Sequence, residues 1–170
     1  MNVSVTVGGA RATFSEAFAQ EVVGVLDRAF GAEGEWESAG TSRFGDLNDA
    51  EDWAKFQKRA ISTLGRDEVA NILALGEEGR GVFLPAHVRA ISFKLSTGQT
   101  LRCASLPGLR RELANLADEW FLPLDDEGLS KVLEFARETD EPAVATYARL
   151  ALASNEAVRR DCPLWLVGEA

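Results

Sequence analysis

Residues 88–105 read VRAISFKLSTGQTLRCAS, two runs of alternating apolar and polar residues separated by Ser96, Thr97 and Gly98. Such alternation is typical of β-strands that bury one face, and a short polar segment containing glycine is typical of a turn. The stretch therefore predicts a β-hairpin over about 88–105, with Gly98 in the left-handed conformation that its loop requires.

The length of the hairpin loop determines which side chains face each other. A three-residue loop pairs Phe93 with Leu101 and Ile91 with Cys103, whereas a two-residue loop pairs Phe93 with Arg102. A shift of one residue turns every side chain of a strand to the other face of the sheet. We expect the three-residue loop, because it places the apolar residues of both strands on one face.

Further strands are expected near both ends of the chain. Residues 3–7 alternate valine with serine and threonine, and residues 164–167 form a short apolar run without charge. Residues 82–84 form another apolar run before Pro85. β-Branched and aromatic residues favour strands, so we expect the two terminal strands to be added to the sheet that contains the central hairpin.

Helices are predicted wherever apolar residues recur at helical spacing between capping and breaking residues. About six segments meet this criterion: 13–31, 48–65, 67–75, 107–123, 125–136 and 140–160. The expected fold is one α+β domain over residues 1–170. In it, the helices surround a small, mainly antiparallel sheet of three to five strands.

The composition excludes several classes of protein. The chain has 170 residues, of which 46% are hydrophobic, and its 27 acidic and 18 basic residues give a net charge of −9. The apolar content suffices for a core, and the absence of a long uncharged stretch argues against a membrane span. Nucleic acids and acidic lipid surfaces would be repelled, because both attract basic proteins.

The compartment is inferred from the first residues and from the cysteines. Residues 1–12 lack the basic and apolar regions of a secretory signal, and Cys103 and Cys162 form no disulfide framework. We expect free thiols in a cytoplasmic protein. Frequent alanine, glycine and arginine, with only four lysines, suggest a bacterial source.

The residue types that usually carry chemistry are few and scattered. His87 is the only histidine, and a zinc site with Cys103 and Cys162 would lack the short spacing that such sites use. The two thiols are expected to be buried and inert, and His87 is expected to pack beside Pro85.

Three motifs resemble known sites only superficially. Residues 40–45 lack the glycine two positions after Ser42 that a nucleophile elbow needs. Residues 79–81 begin like a dinucleotide fingerprint, but Leu84 stands where a third glycine belongs. Adjacent acids at 125–127 and 77–78 are more typical of helix capping than of catalysis. No catalytic, cofactor-binding or metal-binding residue is assigned, and no cofactor is expected.

Acidic charge is concentrated in two segments. Residues 31–52 carry seven acids and one base, and residues 118–141 carry nine acids and two bases. Within the first segment, residues 31–47 predict a long, acidic, glycine-rich loop. Loops of this length in compact domains are often functional. We therefore predict partner binding by a set of loop residues: Glu33, Glu35, Trp36 and Glu37.

These patterns favour protein binding over catalysis. An acidic surface with an aromatic anchor suits a basic protein partner, as in an immunity-type protein that neutralises a cognate bacterial toxin. Two alternatives stay open: a structural or regulatory domain, and an enzyme whose site is assembled from residues far apart in the sequence. The oligomeric state is not predicted.

Overall fold

The part of the chain that the structure describes contains seven α-helices and a six-stranded sheet. The computed structural model describes residues 3–30, 42–47, 50–77 and 79–168. The strands are β1 (Val3–Val7), β2 (Ser42–Leu47), β3 (Gly81–Leu84), β4 (Ile91–Lys94), β5 (Thr100–Ser105) and β6 (Leu164–Gly168). The α-helices are α1 (Ala10–Thr13), α2 (Glu16–Phe30), α3 (Ala50–Leu64), α4 (Ala70–Ala74), α5 (Leu106–Trp120), α6 (Asp126–Glu138) and α7 (Pro142–Arg160).

The sheet is mixed, with the strand order β2-β1-β6-β3-β5-β4. β3 and β5 are parallel, and every other neighbouring pair is antiparallel. The predicted α+β class and the mainly antiparallel sheet are confirmed. The two terminal strands, β1 and β6, belong to this sheet as expected, and they pair with each other.

Helices cover both faces of the sheet and give the molecule three layers. One apolar cluster packs α2 against one face and includes Leu26, Val82 and Trp165. The larger cluster packs α3, α4, α5 and α7 against the other face and includes Trp53 and Phe83. No helix of the described chain is both long and apolar enough to cross a bilayer.

The hairpin has the register that the loop-length argument predicts. Phe93 pairs with Leu101 and Ile91 pairs with Cys103. Gly98 has a φ of 83°, in the left-handed region. The hairpin is nevertheless at one edge of the sheet rather than at its centre, and its first strand begins at residue 91 instead of 88.

The predicted loop over residues 31–47 was wrong for its last six residues, because Ser42–Leu47 is the edge strand β2. Ser4 pairs with Asp46 but Thr6 pairs with Arg43, so β2 carries one extra residue at a β-bulge. The bulge interrupts the alternation by which strands are recognised. With β2 the sheet has six strands, whereas three to five were expected.

Candidate functional site

The loop residues predicted to bind a partner, Glu33, Glu35, Trp36 and Glu37, lie outside the residues that the structure describes. Their role stays a prediction.

The histidine and the two cysteines are not brought together as a site. His87 is exposed in the connection between β3 and β4, whereas Cys103 and Cys162 are buried free thiols. Burial raises the pKa of Cys103 to about 12 and also raises the pKa of Cys162, so both are poor nucleophiles. Among the described residues, no three His, Cys, Asp or Glu side chains are grouped as metal ligands.

The adjacent acids at the start of α6 serve the helix. Asp125 is the N-cap, and its carboxylate accepts a hydrogen bond of 3.0 Å from the Gly128 N–H. Asp126 accepts a hydrogen bond from the Asn155 amide and forms an ion pair of 2.8 Å with Arg159. Both interactions lower the pKa of Asp126. The expected capping role is confirmed for Asp125.

The second acidic segment runs from the end of α5 through α6 to the residue before α7, and its exposed side chains are called here the 118–141 surface. Its nine acidic and two basic residues give a net charge of −7. All nine acids are exposed to solvent: Asp118, Glu119, Asp125, Asp126, Glu127, Glu134, Glu138, Asp140 and Glu141.

Large apolar side chains are exposed within the same surface. Phe121 is 93% exposed, Phe135 is 63% exposed and Leu124 is 47% exposed. Leu122, next to Phe121 in the chain, packs against a small cluster that includes Ala136, the neighbour of Phe135. The chain neighbours of the two phenylalanines therefore pack in one apolar cluster.

Phe121 also has an unfavourable backbone conformation. Its φ of 55° and ψ of 44° are left-handed, at the position after a helix where glycine is usual. The N–H groups of Phe121 and Leu122 both donate to the carbonyl of Ala117, which ends α5 with a sharp turn. The turn projects the Phe121 ring into solvent.

The segment between α5 and α6 is anchored to α7. The Tyr147 hydroxyl donates a 2.9 Å hydrogen bond to the carbonyl of Pro123. Burial, together with the charge of Asp118, raises the pKa of Tyr147 to about 12, so this donor keeps its proton. The Asn155 amide donates to the carbonyl of Leu124 at 3.0 Å. These contacts hold the exposed side chains on a fixed backbone.

A cleft opens in the sheet where β3 is shorter than its neighbours, and is called here the β5–β6 cleft. Gly81, the first residue of β3, pairs with Leu166 and lies against the carbonyl of Arg102. Residues 100–101 of β5 and 167–168 of β6 extend beyond it. No described strand lies between these two extensions.

The cleft has a volume of about 450 Å³, and its wall is aromatic on the side of α2. Phe14 and Phe18 line this wall together with Trp165. The Phe14 ring lies 5.0 Å from the Trp165 ring, edge to face. The indole N–H of Trp165 donates to the carbonyl of Gly8 at 2.9 Å, which fixes the ring in place.

Two arginines, Arg80 and Arg102, line the cleft. A Cβ atom built on Gly168 would collide with the guanidinium of Arg80, so this group lies directly against the Gly168 backbone. A Cβ atom on Gly76 would lie 2.9 Å from Nη1 of Arg102, so the guanidinium of Arg102 lies beside the turn that follows α4. None of the described lining residues is acidic, and none is His, Cys or Lys. The described lining therefore offers cationic and apolar contacts rather than an acid–base pair.

The exposure of Phe121 and Phe135 was not predicted from the sequence, although the sequence contains a signal for it. In α6 the buried stripe contains Leu129, Val132 and Ala136, and Phe135 lies off this stripe. Phe121 stands where a helix usually ends in glycine. A large apolar residue that lies outside the buried stripe of a helix, within an acidic segment, indicates an exposed apolar side chain.

Comparison of the chain with protein-family models, curated proteins and solved structures found no significant match.

Proposed function

We propose that this protein binds a basic protein partner through the 118–141 surface. The observation that carries the proposal is the 93% exposure of Phe121 in a left-handed conformation within a segment of net charge −7. Aromatic residues dominate the energetics of many interfaces, and a surrounding charge of one sign speeds the approach of an oppositely charged partner.

The proposed role is that of an immunity-type protein in the bacterial cytoplasm, which neutralises a cognate toxin by covering its active site. A toxin that acts on nucleic acid is commonly basic where it binds its substrate, and an acidic protein can compete for that surface. The proposal needs no catalytic group on this chain. The loop residues Glu33, Glu35, Trp36 and Glu37 are proposed as a second contact with the same partner.

The test uses the product of the adjacent gene. We expect its expression to arrest growth and co-expression of this protein to restore growth. The variant Phe121→Asn should bind that product about thirtyfold more weakly, which corresponds to about 2 kcal/mol.

A control is provided by Ile91→Ser. Ile91 is 42% exposed on β4, outside the 118–141 surface, so this variant should bind like the wild-type protein. Failure of co-expression to restore growth would contradict the immunity role. Equal affinities of the Phe121→Asn variant and the wild-type protein would exclude the 118–141 surface and favour a structural or regulatory role for it.

A further inference from the structure

We propose that the β5–β6 cleft is a binding site for a small organic anion, a carboxylate or phosphate monoester with an apolar body. This site is separate from the 118–141 surface. It does not depend on the proposed protein partner.

The shape of the cleft suits a ligand of this kind. Its volume of about 450 Å³ lies in the range of small-molecule sites. Strand alternation brings side chains from both faces of the sheet to its walls, because Leu101 and Trp165 belong to the cluster under α2 whereas Leu166 belongs to the opposite cluster. The apolar body of a ligand would contact Phe14 and Trp165.

The charge of the cleft has the opposite sign to that of the whole protein. Arg80 and Arg102 line it, none of the described lining residues is acidic, and the chain as a whole has a net charge of −9. A guanidinium group matches a carboxylate or phosphate in a two-pronged geometry. Arg102 is exposed and Arg80 is half-buried. An anion can therefore contact Arg102 and lie near Arg80.

The sheet backbone adds polar groups to the cleft. Residues 100–101 and 167–168 have no described strand on the sides that face the gap. Main-chain N–H groups at such an edge are hydrogen-bond donors for an anion. On one side the Arg80 guanidinium fills the space that a side chain at Gly168 would occupy, which places this cation beside the strand edge.

The experiment is a titration of ¹⁵N-labelled protein followed by NMR, with 1-naphthoate and 1-naphthyl phosphate as anionic probes. The neutral isostere 1-naphthamide and inorganic phosphate are the controls. We expect the naphthyl anions to shift the signals of residues 100–102, 167–168 and the Trp165 indole. The neutral amide and inorganic phosphate should bind at least about tenfold more weakly, because the amide lacks the negative charge and inorganic phosphate lacks the apolar body. The stronger of the two naphthyl anions identifies the headgroup.

The variant Arg102→Gln should weaken the binding of the naphthyl anions about tenfold, a typical effect of losing a charge-assisted hydrogen bond. Arg102 is exposed, so the substitution spares the core. Arg137→Gln, on α6, is the matched control and should bind like the wild-type protein. Three results would overturn the proposal: equal binding of naphthoate and naphthamide, no effect of Arg102→Gln, or shifts confined to the exposed Phe121 and Phe135.

Discussion

Phe121 combines two features that each cost free energy. Its side chain is 93% exposed, and its backbone has a φ of 55°. A side chain other than glycine or asparagine is disfavoured there, because Cβ approaches the following carbonyl. Neither feature contributes to the core. These two costs support the proposed contact of Phe121 with another molecule.

Replacing Phe121 should therefore stabilise the isolated protein. We expect Phe121→Gly to raise the free energy of unfolding by about 1 kcal/mol, because glycine removes the left-handed strain and no buried contact is lost. Urea denaturation of the wild-type protein and the variant measures the change. A loss of stability would show that the ring packs on the molecule, and would remove the argument for a partner.

Glu112 is a buried carboxylate with a structural role. It is 1% exposed on α5 and accepts hydrogen bonds from the N–H groups of Asn71 and Ile72, at 2.9 Å and 3.1 Å, at the start of α4. Burial raises its pKa, while these hydrogen bonds act in the opposite direction. The side chain satisfies amide groups that the first turn of a helix leaves without partners.

We expect Glu112→Ala to lower the free energy of unfolding by about 3 kcal/mol, because buried amide groups lose their acceptor. Glu112→Gln should cost less, since it keeps one acceptor oxygen. The control is Glu119→Ala, an exposed site on the same helix, which should change stability by less than about 0.5 kcal/mol. Chemical denaturation of the three variants provides the comparison, and equal effects of Glu112→Ala and Glu119→Ala would refute this role.

The two cysteines should be unreactive in the folded protein. Both are buried, and burial raises the pKa of Cys103 to about 12. The thiolate is the reactive form, so a thiol reagent should label neither residue until the protein is denatured. Mass spectrometry after labelling in denaturant should then find two modified residues without added reductant. A requirement for reductant would mean that the cysteines are oxidised.

At the scale of elements, the register of the hairpin was predicted correctly, whereas β2 was not predicted. The pairing of Phe93 with Leu101 follows from the number of residues in the hairpin loop. Only a loop with an odd number of residues places the apolar residues of both strands on one face. β2 contains Gly45 at φ 104° and a bulge that breaks the alternation. Its place in the sheet depends on pairing with β1, which lies far away in the sequence.

The candidate sites were less predictable than the fold. The acidity of residues 118–141 is visible in the sequence, but the exposure of Phe121 depends on the turn that ends α5. The β5–β6 cleft depends on three strands from distant parts of the chain, of which β3 is shorter than its neighbours. Composition and periodicity carry no information on the gap that a short β3 leaves between β5 and β6.

Gly98 should be required for the hairpin loop. Nothing lies within 4 Å of a Cβ atom built on it, so only its φ of 83° opposes a side chain. We expect Gly98→Ala to lower the free energy of unfolding by about 1 kcal/mol, and Gly98→Asn to lower it less, because asparagine tolerates this conformation. Denaturation curves of both variants test the order. If alanine cost no more than asparagine, backbone strain at this position would be refuted.

At the scale of the whole molecule, the three layers separate two surfaces of opposite charge. The acidic 118–141 surface belongs to the helices on one face of the sheet, and the arginine-lined cleft opens within the sheet itself. A net charge of −9 attracts a basic partner over distances set by the salt concentration. Screening of this attraction by salt separates the charged contribution from the apolar one.

The most direct test of the central claim is the kinetics of binding to the product of the adjacent gene at two salt concentrations. Phe121→Asn should mainly speed dissociation at both concentrations. A triple variant, Glu127→Gln, Glu134→Gln and Glu138→Gln, should slow association and flatten its dependence on salt. Trp36→Ala, measured in parallel, should also speed dissociation if the 31–47 segment is a second contact. Unchanged rates for both Phe121→Asn and the triple variant would contradict the claim that the 118–141 surface binds the partner.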